Sequence, residues 1–167
     1  DTDLLAISLP VVNDPPRVVL SNMCTTFADD TDTSSAIKVA DITVTDQDGG
    51  TNTLSLSGAD AALFEFVGTE LRLIAGAALD FETNPSLDVT VEVDDATIAG
   101  TPDDSDALAI SITDANDPPS VVLSNTVTTF AEDFDTTLAT KVADITVTDQ
   151  DGGTNTLSLS GADAALF

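Results

Sequence analysis

The chain contains no His, no Trp and no Tyr, and it has a single Cys. Without histidine or a basic cluster, no Ser here stands beside a base that could activate it as a nucleophile. Asp80 and Glu82 could in principle serve as a glycosidase carboxylate pair, but a sugar cleft usually also offers aromatic platforms, and Trp and Tyr are missing. The chain is therefore not expected to be an enzyme. A lone Cys24 cannot build an internal disulfide framework. Basic residues are nearly absent too: Arg17, Lys38, Arg72 and Lys141 face thirty acidic side chains, for a net charge of −26. That balance argues against nucleic acid and anionic membrane as partners, since either requires a basic face. No apolar run approaches the roughly 18 residues of a membrane span, and no basic segment precedes a short apolar one. Direct membrane insertion and an export signal are thus not expected within this stretch, although a signal or anchor could lie outside it.

What is present is a repeat. The segment "DITVTDQDGGTNTLSLSGADAALF" occurs identically at 41–64 and 144–167, an offset of 103 residues. Extended backwards, Arg17–Phe64 aligns with Ser120–Phe167 at 40 of 48 positions. That period is too long for a helical solenoid and close to the about 100 residues of an immunoglobulin-sized β-sandwich. Apolar residues make up 42% of the chain, enough for a core, and with only seven Phe that core must come mostly from Val, Ile, Leu and Ala. Cys24 aligns with Val127, which marks it as a small hydrophobe rather than a reactive thiol.

Period-two alternation dominates. It is clearest at Leu87, Val89, Val91 and Val93 and at Leu108, Ile110 and Ile112, and it is repeated by Leu5, Ile7 and Leu9. "RVVLSN" and "CTTFA" read as a broken first strand, "LFEFVG" and "ELRLIAG" as a pair across Gly68-Thr69, and "GADAALFEF" offers one helical turn. Paired prolines at 15–16 and 118–119 are stiff connectors, because proline fixes φ and removes a ladder donor. The expected fold is all-β: tandem seven-stranded Greek-key β-sandwiches. Residues 1–14 are read as the C-terminal strand and linker of a preceding repeat, 15–117 as a complete repeat, and 118–167 as the N-terminal half of the next. The half-repeat lacks the later strands, so the polypeptide is expected to be longer.

The acidic residues cluster in turns. Asp46-Gln47-Asp48-Gly49-Gly50-Thr51-Asn52 sets two carboxylates on alternate residues, with glycines and an amide, and Asp149, Asp151 and Asn155 repeat it. Calcium takes about six to eight oxygen ligands, and such turns supply them. The same residue types also form ordinary turns, and an acidic surface also suits proteins of saline habitats.

Four further motifs, in order, resemble the cadherin repeat. "FADD" and "FAED" stand where that family places a glutamate after the first strand, giving Asp29 and Glu132. "LDFE" resembles its Leu-Asp-Arg-Glu motif, giving Asp80 and Glu82, with Phe81 in place of arginine. "VEVDD" supplies the late aspartate, Asp95, with Asp94 as a close rival. "DANDPP" resembles the linker motif and gives Asp114, Asn116 and Asp117; its last position is Pro118, which keeps the backbone carbonyl used there. The resemblance implies Ca2+ at the junctions between repeats. One junction would join Asp29, Asp80, Glu82, Asp114, Asn116 and Asp117 to Asp149, Asp151 and Asn155; the other would join Asn13 and Asp14 to Asp46, Asp48, Asn52 and Asp95. Two departures weaken it: Val11 replaces a linker aspartate, and Asp29 is one methylene shorter than the family's glutamate.

The function implied is an extracellular structural repeat of a calcium-rigidified cell-surface adhesin stalk or filament, whose expected partners are adjacent repeats of the same chain and, in the filament case, other copies. Near-identical copies suit a uniform rod, and with the acidic balance they resemble bacterial surface repeat proteins more than animal cadherins. The alternative is a homophilic or glycan-binding calcium-dependent adhesion domain, against which the lack of an exposed aromatic anchor counts. Unmatched strand edges would also permit lateral pairing into a fibre.

Overall fold

In a computed structural model residues 12–167 are described, and the chain divides into two compact units, Asp1–Ala115 and Asn116–Phe167. The strand expected at Leu5, Ile7 and Leu9 and the linker position Val11 lie outside the described residues.

The first unit is a sandwich of two four-stranded sheets. Its strands are β1 (Arg17–Ser21), β2 (Thr26–Ala28), β3 (Ile37–Thr45), β4 (Asn52–Ser57), β5 (Phe64–Val67), β6 (Glu70–Leu73), β7 (Ser86–Asp95) and β8 (Asp104–Thr113). One sheet runs β1-β3-β6-β5, the other β2-β8-β7-β4. The expected broken first strand is real: β1 pairs antiparallel with β3, and after the left-handed turn at Asn22 β2 crosses to the other sheet and runs parallel to β8. Seven expected strands thus become eight segments. The single helical turn is a 3-10 turn at Ala61–Leu63, and β5 and β6 pair across Gly68-Thr69.

Side-chain parity decides what is buried. Along β7, Leu87, Val89, Val91 and Val93 all point into the core, and Leu108, Ile110 and Ile112 meet them from β8. Val18 and Leu20 of β1 and Leu71 and Leu73 of β6 close the core from the opposite sheet. In β3 the alternation breaks where its register against β6 shifts between Lys38 and Ala40, a bulge that lets Val39 and Ala40 both be buried. Cys24 is half-buried against this core, as the repeat comparison suggested, and its thiol points at the Thr26 carbonyl.

The second unit contains two antiparallel strands, β9 (Ser120–Ser124) and β10 (Asp144–Thr148), and a 3-10 turn at Ala164–Leu166. Val121 and Leu123, the counterparts of buried Val18 and Leu20, are exposed there, as are Ile145, Leu157 and Leu159. Covering them takes strands equivalent to β6–β8, which these residues do not form.

Ile110 is fully buried at the centre of β8. Ile110→Ala should cost about 2–5 kcal/mol, read as a lower urea midpoint; an unchanged midpoint would mean that the core collapses around the gap. Gly58 has φ +108°, and a Cβ there would lie 2.7 Å from the Asp88 carbonyl oxygen, a backbone atom that cannot step aside. Gly58→Ala should therefore lower stability by roughly 1–3 kcal/mol, checked by the same titration, whereas Gly68→Ala, with open space around its Cβ, should cost less.

Candidate metal centre

The first cluster forms where the linker reaches the turn after β3. Asp46 folds that turn on itself, its Oδ1 accepting the N–H groups of Asp48 and Gly49 at 3.1 Å each. Its Oδ2 accepts the Asn52 amide at 3.0 Å. Asn52 opens β4 directly opposite Asp95, the last residue of β7, so the ladder carries the late aspartate to the turn. Gly50 fits between them: a Cβ there would lie 2.9 Å from Asp95 Oδ2 and 3.5 Å from Asp46 Oδ2. From the linker, the Asn13 amide donates to Asp95 Oδ2 at 3.0 Å, and the Asp14 N–H donates to Asp48 Oδ2 at 2.8 Å. Asn13, Asp14, Asp46, Asp48, Asn52 and Asp95 therefore gather at one end of the sandwich.

Asp95 is buried, only 1% exposed. The Asn13 amide, with the N–H and hydroxyl of Thr97, holds its carboxyl below the usual aspartate range, so it is charged at neutral pH. Its own N–H donates to Asp103 Oδ2 at 2.6 Å. Neither Thr97 nor Asp103 was legible as part of the cluster; the only hint was that Thr97 follows Asp95 by two residues, the spacing of a side-chain-to-backbone turn. Asp94, the rival, points to the other side of β7, beside Thr53, Ser55 and Glu92.

The second cluster lies where β2 and β8 end. Carboxylate oxygens of Asp29, Glu82 and Asp114 lie within 4.8 Å of one another. Calcium–oxygen distances of about 2.3–2.6 Å let two ligands of one ion stand up to about 5 Å apart, so the spacing fits one ion. Asp29 is fixed by the parallel β2–β8 pair: its N–H donates to Thr113 O at 3.1 Å, and its Oδ1 accepts the Ala115 N–H at 3.0 Å. In "LDFE", Leu79 and Phe81 pack on the core and leave Asp80 and Glu82 outside it. Asp80 is not in the three-carboxylate group; it accepts the Thr83 hydroxyl at 2.7 Å and the Thr83 N–H at 2.9 Å, which keep its carboxyl below the usual range.

The second unit repeats the turn. The Asp117 N–H donates to Asp151 Oδ2 as the Asp14 N–H does to Asp48, at the same separation of 34 residues. Asn116 donates to the Asp117 carbonyl at 3.0 Å. Asp149 is half-buried, whereas Asn155 is exposed in chain that forms no strand, so the ladder that places Asn52 has no equivalent there.

Buried oxygens give the sharpest test of whether these residues fit a cation. Among the described residues, five buried side-chain oxygens have no hydrogen-bond partner: Asp29 Oδ2, Asn52 Oδ1, Asp94 Oδ1, Asp149 Oδ1 and Asp151 Oδ1. Such atoms are costly to leave unpaired. All but Asp94 Oδ1 belong to the residues singled out in the sequence, and oxygens are what calcium takes.

No protein-family model and no curated protein sequence matches the chain. Solved structures do. The EC3-6 cis-dimer structure of protocadherin gammaB7 aligns over 84% of this chain at 22% identity with a TM-score of 0.50. Human protocadherin-24 EC1-2 aligns over 83% at 22% identity and TM-score 0.45, and human mucin-like protocadherin EC1-2 over 80% at 15% and 0.47. The chain spans 34%, 60% and 62% of those three chains, under two thirds of each. With its two sheets and its first strand divided between them, this chain has a cadherin-like β-sandwich fold.

Proposed function

We propose that the chain is an extracellular structural repeat of a calcium-rigidified cell-surface adhesin stalk or filament, not an enzyme, and that its first partners are adjacent repeats of the same polypeptide. One observation carries this reading: the coincidence of unpartnered buried oxygens with the residues of the acidic turns and linkers. Asp29, Glu82 and Asp114 would hold one ion; Asp46, Asp48, Asn52 and Asp95, with Asn13 and Asp14, would form a second site; and Asp149, Asp151, Asn155, Asn116 and Asp117 would supply the corresponding ligands of the next repeat. Asp80 would lend its charge from beside Glu82.

The ion would act by electrostatics. Carboxylates gathered at one end of a sandwich repel one another, and proline-stiffened connectors leave them little room to spread. A divalent cation turns that repulsion into attraction and orders the linker. The four basic residues of the chain can pair with only a few of its thirty carboxylates. Extracellular calcium modules bind at roughly 10⁻⁴–10⁻³ M, and one site at ten times its Kd adds about 1.4 kcal/mol.

Calorimetric titration of the full chain with Ca2+ should give saturable heat in that range and a higher thermal midpoint than in EDTA. Asp46→Asn with Asp48→Asn should lower the number of ions bound while the sandwich stays folded. Small-angle scattering should show a narrower range of shapes with calcium than with chelator. No heat, together with identical scattering in EDTA, would overturn the proposal.

A further inference from the structure

The inward parity of β8 does not stop where its apolar residues stop. Stepping back two residues at a time from Ile112, Ile110 and Leu108 reaches Asp106 and then Asp104, both half-buried at core register. A carboxylate placed there is costly unless it finds donors. Both do: Asp104 Oδ2 accepts the Val18 N–H at 2.9 Å, and Asp106 Oδ2 accepts the Leu20 N–H at 2.8 Å.

Those two amides are the ones the ladder leaves over. Successive N–H groups of a strand point to opposite sides, and β1 is an edge strand whose other side is already paired with β3. In the facing sheet, β2 covers β8 only from Ser111 to Thr113, so the part of β8 bearing the two aspartates is an edge as well. Side chains therefore join the two sheets where no backbone ladder does. The sequence spells the same Asp-x-Asp before "LLAIS" at Asp1 and Asp3, outside the described residues.

We propose that Asp104 and Asp106 form a latch that closes the open side of the sandwich and holds β1, the strand entered directly from the linker at Asp14–Pro16, against peeling away from β3. The latch is separate from the calcium reading, because neither residue is among the ligands named for it. It also occupies the edge N–H groups that an incoming strand would need.

Backbone amide exchange on the full chain, resolved by NMR, tests this. In the parent chain, Val18 and Leu20 should be protected about as well as Val19, whose N–H faces β3; exchange of both at the rate of an exposed loop would overturn the latch. Asp104→Ala with Asp106→Ala should speed exchange at Val18 and Leu20 by about ten- to a hundredfold, with amides of the β5–β6 hairpin much less affected. Asp104→Asn with Asp106→Asn, which keeps an acceptor oxygen in place, should retain most of the protection. Unchanged exchange in the alanine variant, or loss spread equally over β5 and β6, would reject the idea. Should the alanine variant not fold, the parent measurement decides by itself.

Discussion

Thirty carboxylates and four basic side chains leave most of this chain's negative charge without a counter-ion of its own, and the structure is organised around what those carboxylates bond to instead. Among the described residues the ion pairs are few and partly exposed: Lys38 with Asp41 and Glu70, Arg72 with Glu70, and Lys141 with Asp144. Such pairs contribute little. The backbone does more. Asp60 accepts the Asp88 N–H, Asp103 that of Asp95, Asp104 and Asp106 those of β1, and Asp29 that of Ala115. Each carboxylate is neutralised in part by a peptide dipole, and each binds a loop or strand end that would otherwise have a loose donor.

That arrangement is limited by the supply of donors. Inside the sandwich the strand edges and turns provide them. At its two ends several carboxylates converge and the N–H groups run short, which is where oxygens of Asp29 and Asn52 are left buried without a partner; in the second unit the same holds for oxygens of Asp149 and Asp151 in the repeated turn. The same chemistry therefore accounts both for the self-contained parts of the molecule and for the places open to a cation. The latch at Asp104 and Asp106 belongs to the first kind and the acidic turns to the second.

The clusters depend on strand register more than on the acidic residues alone. Asn52 reaches Asp95 because β4 and β7 are paired so that these two stand opposite each other; a slip of one residue would present Asp94 instead, on the other side of β7. Register in turn follows from Val89, Val91 and Val93, which can face the core in only one phase. The core thus positions the site, and a chain that formed only β9 and β10 of its sandwich leaves Asn155 without a ladder to place it.

Sequence alone determined the all-β architecture, the repeat, the strand phases of β7 and β8 and the identity of the acidic turns, because period-two alternation and turn chemistry are local properties. It also gave a broken first strand, read as "RVVLSN" and "CTTFA". Only the tertiary structure decided that Asp95 rather than Asp94 faces Asp46, that Asp80 bonds to Thr83 while Asp29, Glu82 and Asp114 form the three-carboxylate group, and that Thr97 and Asp103 support the buried aspartate. Nor could the pattern show that Asp104 and Asp106 reach across to β1. Apart from Thr97 and Asp103, which lie two and eight residues from Asp95, these depend on which side of a strand faces which neighbour about thirty to ninety residues away, a relation settled by packing the two sheets together and carried by no local stretch of chain.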